Sequence, residues 1–137
     1  MKFYIDTSVW RDYFEDRKDN LRPLGQFAFE FLAKIKRNKD RVVYSELIIK
    51  ELLNVFNKDV ITEIFKILKE DELLDEIKIR KKHLTEAEKI SKQLNVHLSD
   101  CVHAVLCKSS RAILVTRDKH FYLLEGIIKV KRPEQLL

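Results

Sequence analysis

Residues 1–10 read Met-Lys-Phe-Tyr-Ile-Asp-Thr-Ser-Val-Trp, and the change of character at Asp6 decides the architecture. Phe3, Tyr4 and Ile5 form a short aromatic and β-branched run of the kind that fills a buried strand. Thr7 or Ser8 can then cap a helix that continues through Val9, Trp10, Tyr13 and Phe14. Asp6 therefore stands where a strand ends and a helix begins, and in an open parallel α/β sheet ligand crevices form at the carboxyl ends of strands. The same residue would serve equally as a plain helix cap bonded to Ser8. What separates the two roles is whether other carboxylates reach the same place.

Three segments supply them. Ala112-Ile113-Leu114-Val115 is a short apolar run of parallel-sheet type, and it ends in Thr116-Arg117-Asp118, so a second strand delivers a carboxylate at its carboxyl end. Val42, Val43 and Tyr44 form another strand, after which Ser45 caps a helix with Leu47, Ile48, Leu52 and Phe56 as its apolar stripe. Glu51 sits at the edge of that stripe, where it either pairs with a lysine on the surface or points into a cleft. Leu98-Ser99-Asp100 opens a helix whose buried stripe is Cys101, Val102, Val105 and Leu106. Asp100 falls in its first turn, where the helix dipole alone would favour a carboxylate.

The remaining chain fills in the layers. Pro23 leads a helix with Leu24, Phe27, Ala28, Phe31, Leu32 and Ile35 at helical spacing, and Val60, Ile61, Ile64, Phe65 and Leu68 mark another. Asp75 to Ile79 reads as an edge strand, and Thr85 with Glu88 as the capping box of a helix ending near Leu94. Ile127 to Val130 reads as a last strand, with 133–137 packing as a tail. This alternation predicts a three-layer α/β/α fold with a mainly parallel sheet of four to five strands. If the first strand and the 112–115 strand are neighbours where strand order reverses, Asp6 and Asp118 share one crevice, and Asp100 and Glu51 enter it from helices. Four crowded carboxylates must raise a pKa or bind a cation, and an all-oxygen donor set selects Mg²⁺ or Mn²⁺.

At 137 residues the chain has the usual size of one domain, taken here as residues 1–137. Only two glycines and two prolines interrupt it, which predicts long helices and little disorder. Cys101 and Cys107, six apart on a helix, read as buried thiols in a reducing cytosol rather than a disulfide or zinc site. No apolar run approaches a membrane span and no secretory leader precedes Asp6, so a cytoplasmic protein without membrane contact is expected. The net charge of +5 suits a polyanionic partner. Arg80, Lys81 and Lys82, within the run Lys78 to His83, are the first candidates for phosphate contacts, with Arg117 and Lys119 flanking Asp118 as others. His103, three residues after Asp100, could face the cleft but reads rather as a core or helix-surface residue, and His97 and His120 read as loop residues without metal-ligand spacing.

Taken together, Asp6-Thr7-Ser8, Ser45 with Glu51-Leu52, Leu98-Ser99-Asp100, and Val115-Thr116-Arg117-Asp118 with Phe121 behind it resemble the PIN-domain ribonucleases, particularly the VapC-type toxins and their archaeal relatives. The resemblance spans nearly the whole chain. It implies a metal-dependent endoribonuclease with Asp6, Glu51, Asp100 and Asp118 as its acidic set, Ser8 and Thr116 as supports, and Mg²⁺ or Mn²⁺ as cofactor. It also implies an RNA substrate, a homodimer and a cognate antitoxin. The competing reading is a non-catalytic nucleic-acid-binding or scaffold domain on the same fold. A receiver or phosphatase reading fares worse, because no second aspartate stands two positions after Asp6 and no glycine-rich phosphate loop occurs.

Overall fold

The computed structural model describes residues 1–137. In chain order the elements are β1 (Lys2–Ile5), α1 (Thr7–Glu15), α2 (Leu24–Asn38), β2 (Arg41–Ser45), α3 (Glu46–Leu53), α4 (Lys58–Lys69), β3 (Leu74–Ile77), α5 (Lys81–Leu94), α6 (Leu98–Ser109), β4 (Ile113–Val115) and β5 (Val130–Lys131). Short 3₁₀ turns cover Lys119–Leu124 and Pro133–Leu136. The five strands form one sheet in the order β3-β2-β1-β4-β5, and every pairing is parallel. Helices α1 to α4 pack on one another, α5 packs on α6, and the buried apolar residues form one continuous cluster between them.

β1 lies at the centre because its side chains are apolar on both faces, with Tyr4 and Ile5 fully buried. From β1 the chain builds outward through β2 and β3 in one direction and through β4 and β5 in the other, so strand order reverses between β1 and β4. The register there is Phe3 to Ile113, Tyr4 to Leu114 and Ile5 to Val115, and the Asp6 amide donates to the Val115 carbonyl at 2.9 Å. Asp6 and the Thr116–Asp118 turn thus leave the sheet side by side.

Several boundaries differ from the sequence expectation. Of the caps the sequence offers for α1, Asp6, bonded to the Ser8 amide, takes the place rather than Thr7 or Ser8. Helix α5 starts at Lys81, a turn before Thr85, because the His83 side chain accepts the Arg80 amide and caps the helix there; the Thr85 hydroxyl donates to the Lys81 carbonyl instead of opening a capping box. The last strand is Val130–Lys131 rather than 127–130, since β5 pairs only with Leu114 and Val115 of the three-residue β4. Cys101 and Cys107 are buried free thiols, and burial pushes the Cys107 thiol up to about 12. No helix is long and apolar enough to cross a membrane.

Candidate active site at the sheet switch point

Asp6 is only 6% exposed. Its Oδ2 accepts the hydroxyls of Ser8 at 2.8 Å and Thr116 at 2.9 Å, with the Ser8 amide at 3.4 Å. All three bonds fall on one oxygen and leave Oδ1 for another ligand. The hydroxyls also stitch the two strand ends together. Thr116 Oγ1 accepts the Asp118 amide at 3.0 Å, and Ser8 Oγ accepts the Arg117 amide at 3.1 Å. Asp118 caps the following 3₁₀ turn, its Oδ1 accepting the His120 amide at 2.9 Å.

Glu51 reaches the same crevice from α3, the short helix that Ser45 caps at the end of β2. Its Oε1 accepts the Thr7 hydroxyl at 2.7 Å, and both of its oxygens lie 3.0 Å from His103 Nε2. Burial works against the ionised form, but the bond and charge of His103 and the bond from Thr7 outweigh it and hold the Glu51 carboxyl below the usual range. Ligand atoms of Asp6, Glu51 and His103 all fall within 4.8 Å of one another, close enough to share one ion. Asp100 stands in the first turn of α6. Burial pushes its carboxyl up, and the negative charges of Asp118 and Asp6 push the same way, against His103 and His97.

The four sequence-predicted acids therefore gather at one end of the sheet. The basic candidates do not all join them. Arg80 and Lys82 border a hollow with Lys2, Lys78, His83 and Ser109, at the far end of α6 from Asp100. Nine residues of helix separate Asp100 from Ser109, about 13 Å at 1.5 Å per residue. His83, part of the basic run in sequence, is buried: Nδ1 accepts the Arg80 amide, so Nε2 carries the proton and faces Ser109 Oγ at 3.4 Å. Burial first, then the charges of Lys82 and Arg80, hold its pKa down. The Arg117 guanidinium is committed to Asp12 at 3.2 Å and Glu134 at 2.7 Å, tying the C-terminal turn to α1.

His103 is buried, as the sequence suggested, and it also faces the crevice, the alternative that the sequence left open. Its spacing of three from Asp100 places both on one side of α6, and that was the available signal. It is 1% exposed, and its Nδ1 meets the Tyr4 hydroxyl at 2.7 Å, which in turn meets Ser45 Oγ at 2.7 Å.

An open parallel α/β sheet with a carboxylate-lined crevice at its switch point defines a class of protein built to hold a ligand there. Within it the chain belongs to the PIN domain family, whose model matches residues 3–127. No curated protein matches the chain by sequence at a significant level. Among solved structures it is similar to VapBC2 from Rickettsia felis bound to a promoter DNA fragment, at 14% identity and TM-score 0.66, covering 96% of this chain and 98% of that one. It is also similar to VapBC-1 from nontypeable Haemophilus influenzae, at 17% identity and TM-score 0.64 over 97% and 98% of the two chains. A toxin–antitoxin complex from Klebsiella pneumoniae aligns at 17% identity and TM-score 0.62 over 95% and 96%. At these identities the likeness establishes the fold.

Proposed function

We propose that this chain is a Mg²⁺- or Mn²⁺-dependent endoribonuclease, acting as a single domain over residues 1–137 and as the toxin of a toxin–antitoxin pair. The observation that carries the reading is the convergence of Asp6, Glu51, Asp100 and Asp118 from four separate elements at the switch point of a PIN fold. The donors fit a hard divalent cation. They are carboxylates, Asp6 Oδ1 is left free, and the upward push on Asp100 by its acidic neighbours is the repulsion a cation would relieve.

When bound, such an ion activates a water molecule and offsets charge on a phosphodiester. The chain's own part is positional. Ser8 and Thr116 turn Asp6 so that one oxygen faces the crevice, Thr7 aims Glu51, and Thr116 holds the backbone of Asp118. Attack by water on phosphorus requires no side-chain nucleophile, and none is assigned. Arg80, Lys81, Lys82 and Lys119 are read as contacts to phosphates away from the scissile bond, whereas Arg117 would first have to release Asp12 and Glu134. The similarity to a toxin–antitoxin complex from Klebsiella pneumoniae supports a cognate antitoxin as partner. A homodimer in the cytoplasm completes the reading.

The test is cleavage of single-stranded RNA with Mn²⁺ or Mg²⁺ by the wild type and by Asp6→Asn. Activity should fall by at least a hundredfold, roughly 2.7 kcal/mol of lost transition-state stabilisation. Equal cleavage by both proteins would overturn the assignment. RNA binding without cleavage by the wild type would point to the non-catalytic alternative.

A further inference from the structure

His103 has a place in the crevice that neither the acidic set nor the RNA reading requires. We propose that it is a positioning residue for Glu51: braced from behind by Tyr4 and Ser45, its Nε2–H fixes the Glu51 carboxylate facing Asp6 for a divalent cation. The inference rests on the metal-dependent reading above.

The proton positions follow from the partners. A carboxylate only accepts, so Nε2 must carry the proton that lies between it and Glu51. Nδ1 then has one partner, the Tyr4 hydroxyl, and Tyr4 has a second, Ser45 Oγ. With a neutral ring, Tyr4 donates to Nδ1 and Ser45 donates to Tyr4. With a charged ring both bonds would reverse, and the buried Ser45 hydroxyl proton would be left without an acceptor. The brace is therefore complete when Ser45 donates to Tyr4 and Tyr4 donates to Nδ1.

The path of the network shows what it holds. Ser45 caps α3 by accepting the Ile48 amide, and Glu51 lies on the same helix. The chain of bonds thus leaves α3 at its first turn, crosses Tyr4 on β1 and His103 on α6, and returns to α3 at Glu51. An eight-residue helix has little of its own to fix its rotation, and here two side chains from other elements pin it at both ends. Tyr4 stands two residues before Asp6 and His103 three after Asp100, so the elements that deliver those acids also register Glu51 against them. Edge-on packing of the imidazole against Tyr4 at 5.6 Å and Phe121 at 6.2 Å between ring centroids keeps it from swinging away.

The experiment is calorimetric titration of Mn²⁺ into the wild type, His103→Leu, His103→Gln and Tyr4→Phe, with folding of each checked by circular dichroism. Leucine fills the cavity but donates nothing, and should weaken Mn²⁺ binding by about ten- to a hundredfold, the usual loss when the partner of a ligating side chain is removed. Glutamine retains an N–H donor and should recover most of the affinity. Tyr4→Phe should cost several-fold, and it decides the matter if His103→Leu fails to fold. Wild-type affinity in a folded His103→Leu, or in Tyr4→Phe should the leucine variant not fold, overturns the proposal and leaves the metal reading standing. Strong coupling to a directly bound imidazole nitrogen in the pulsed EPR spectrum of the Mn²⁺-loaded wild type also overturns it, because His103 would then be a ligand. No Mn²⁺ binding by the wild type overturns both readings.

Discussion

Asp100 and Asp6 occupy one crevice on different terms. Asp6 has two hydroxyls and an amide on its carboxylate, whereas Asp100 faces Asp118 and Asp6 with its charge partly desolvated. A folded-state pKa above the ordinary 3.8 means that the folded state binds the proton more tightly than the unfolded chain. Its contribution to stability is complete below that ordinary value and is lost as pH rises through the folded one. Asp100→Asn should therefore stabilise the chelator-treated protein at neutral pH, while Mn²⁺ binding is lost, a trade common at functional sites. Thermal melts of the chelator-treated proteins between pH 4 and 7 check the stability: the variant should lose the wild type's gain on acidification, and an unchanged melting temperature at pH 7 would refute the prediction. At this scale Asp6 and Asp118 were legible in sequence because each follows a strand and a strand end is a defined place. Glu51 was ambiguous because helical phase alone does not say what covers the edge of a stripe. His83 was misread, and His103 was left between core and cleft, because a histidine's role depends on which two atoms meet its nitrogens, and those partners lie up to 99 residues away.

The corner between α1 and α2 shows how closely elements meet. Helix α1 closes with Asp16 in the left-handed region at φ 48°, and the Gly25 amide in the first turn of α2 donates to the Arg17 carbonyl at 2.8 Å. A Cβ on Gly25 would stand 2.5 Å from Asp16 Cα and 2.8 Å from the Asp12 carbonyl oxygen. These are backbone atoms with nowhere to go, so Gly25→Ala should cost about 2 kcal/mol or more, as overpacking does. Urea unfolding measures it, and a loss below half that size would count against the close approach. The helices and inner strands were readable from apolar periodicity, since both are dense with buried side chains. The start of α5 and the extent of β5 were not: one depends on the His83 cap, the other on how much of β4 remains to pair with.

Over the whole molecule, 27 lysines and arginines against 22 acids leave a basic protein whose proposed RNA affinity should fall steeply with salt. Replacing Lys81 and Lys82 by glutamine should lower the slope of log affinity against log salt by about 1.4, at roughly 0.7 per single-strand phosphate contact. Fluorescence anisotropy from 50 to 300 mM KCl measures it, and an identical slope would remove those lysines from the interface. The fold class was legible from the alternation of strands and helices. The neighbouring of β1 and β4 was only a condition in that reading, because parallel pairing leaves no local trace in sequence. That pairing also sets a timetable. Synthesis runs from the N-terminus, and β1, β2 and β3 all emerge before Ile113, so a nascent chain carries Asp6 and Glu51 long before β4 arrives to complete the crevice with Thr116 and Asp118. A chain whose translation stalls early holds only part of the acidic set, and the cell making it meets the complete site only when β4 and the residues through Asp118 have left the ribosome.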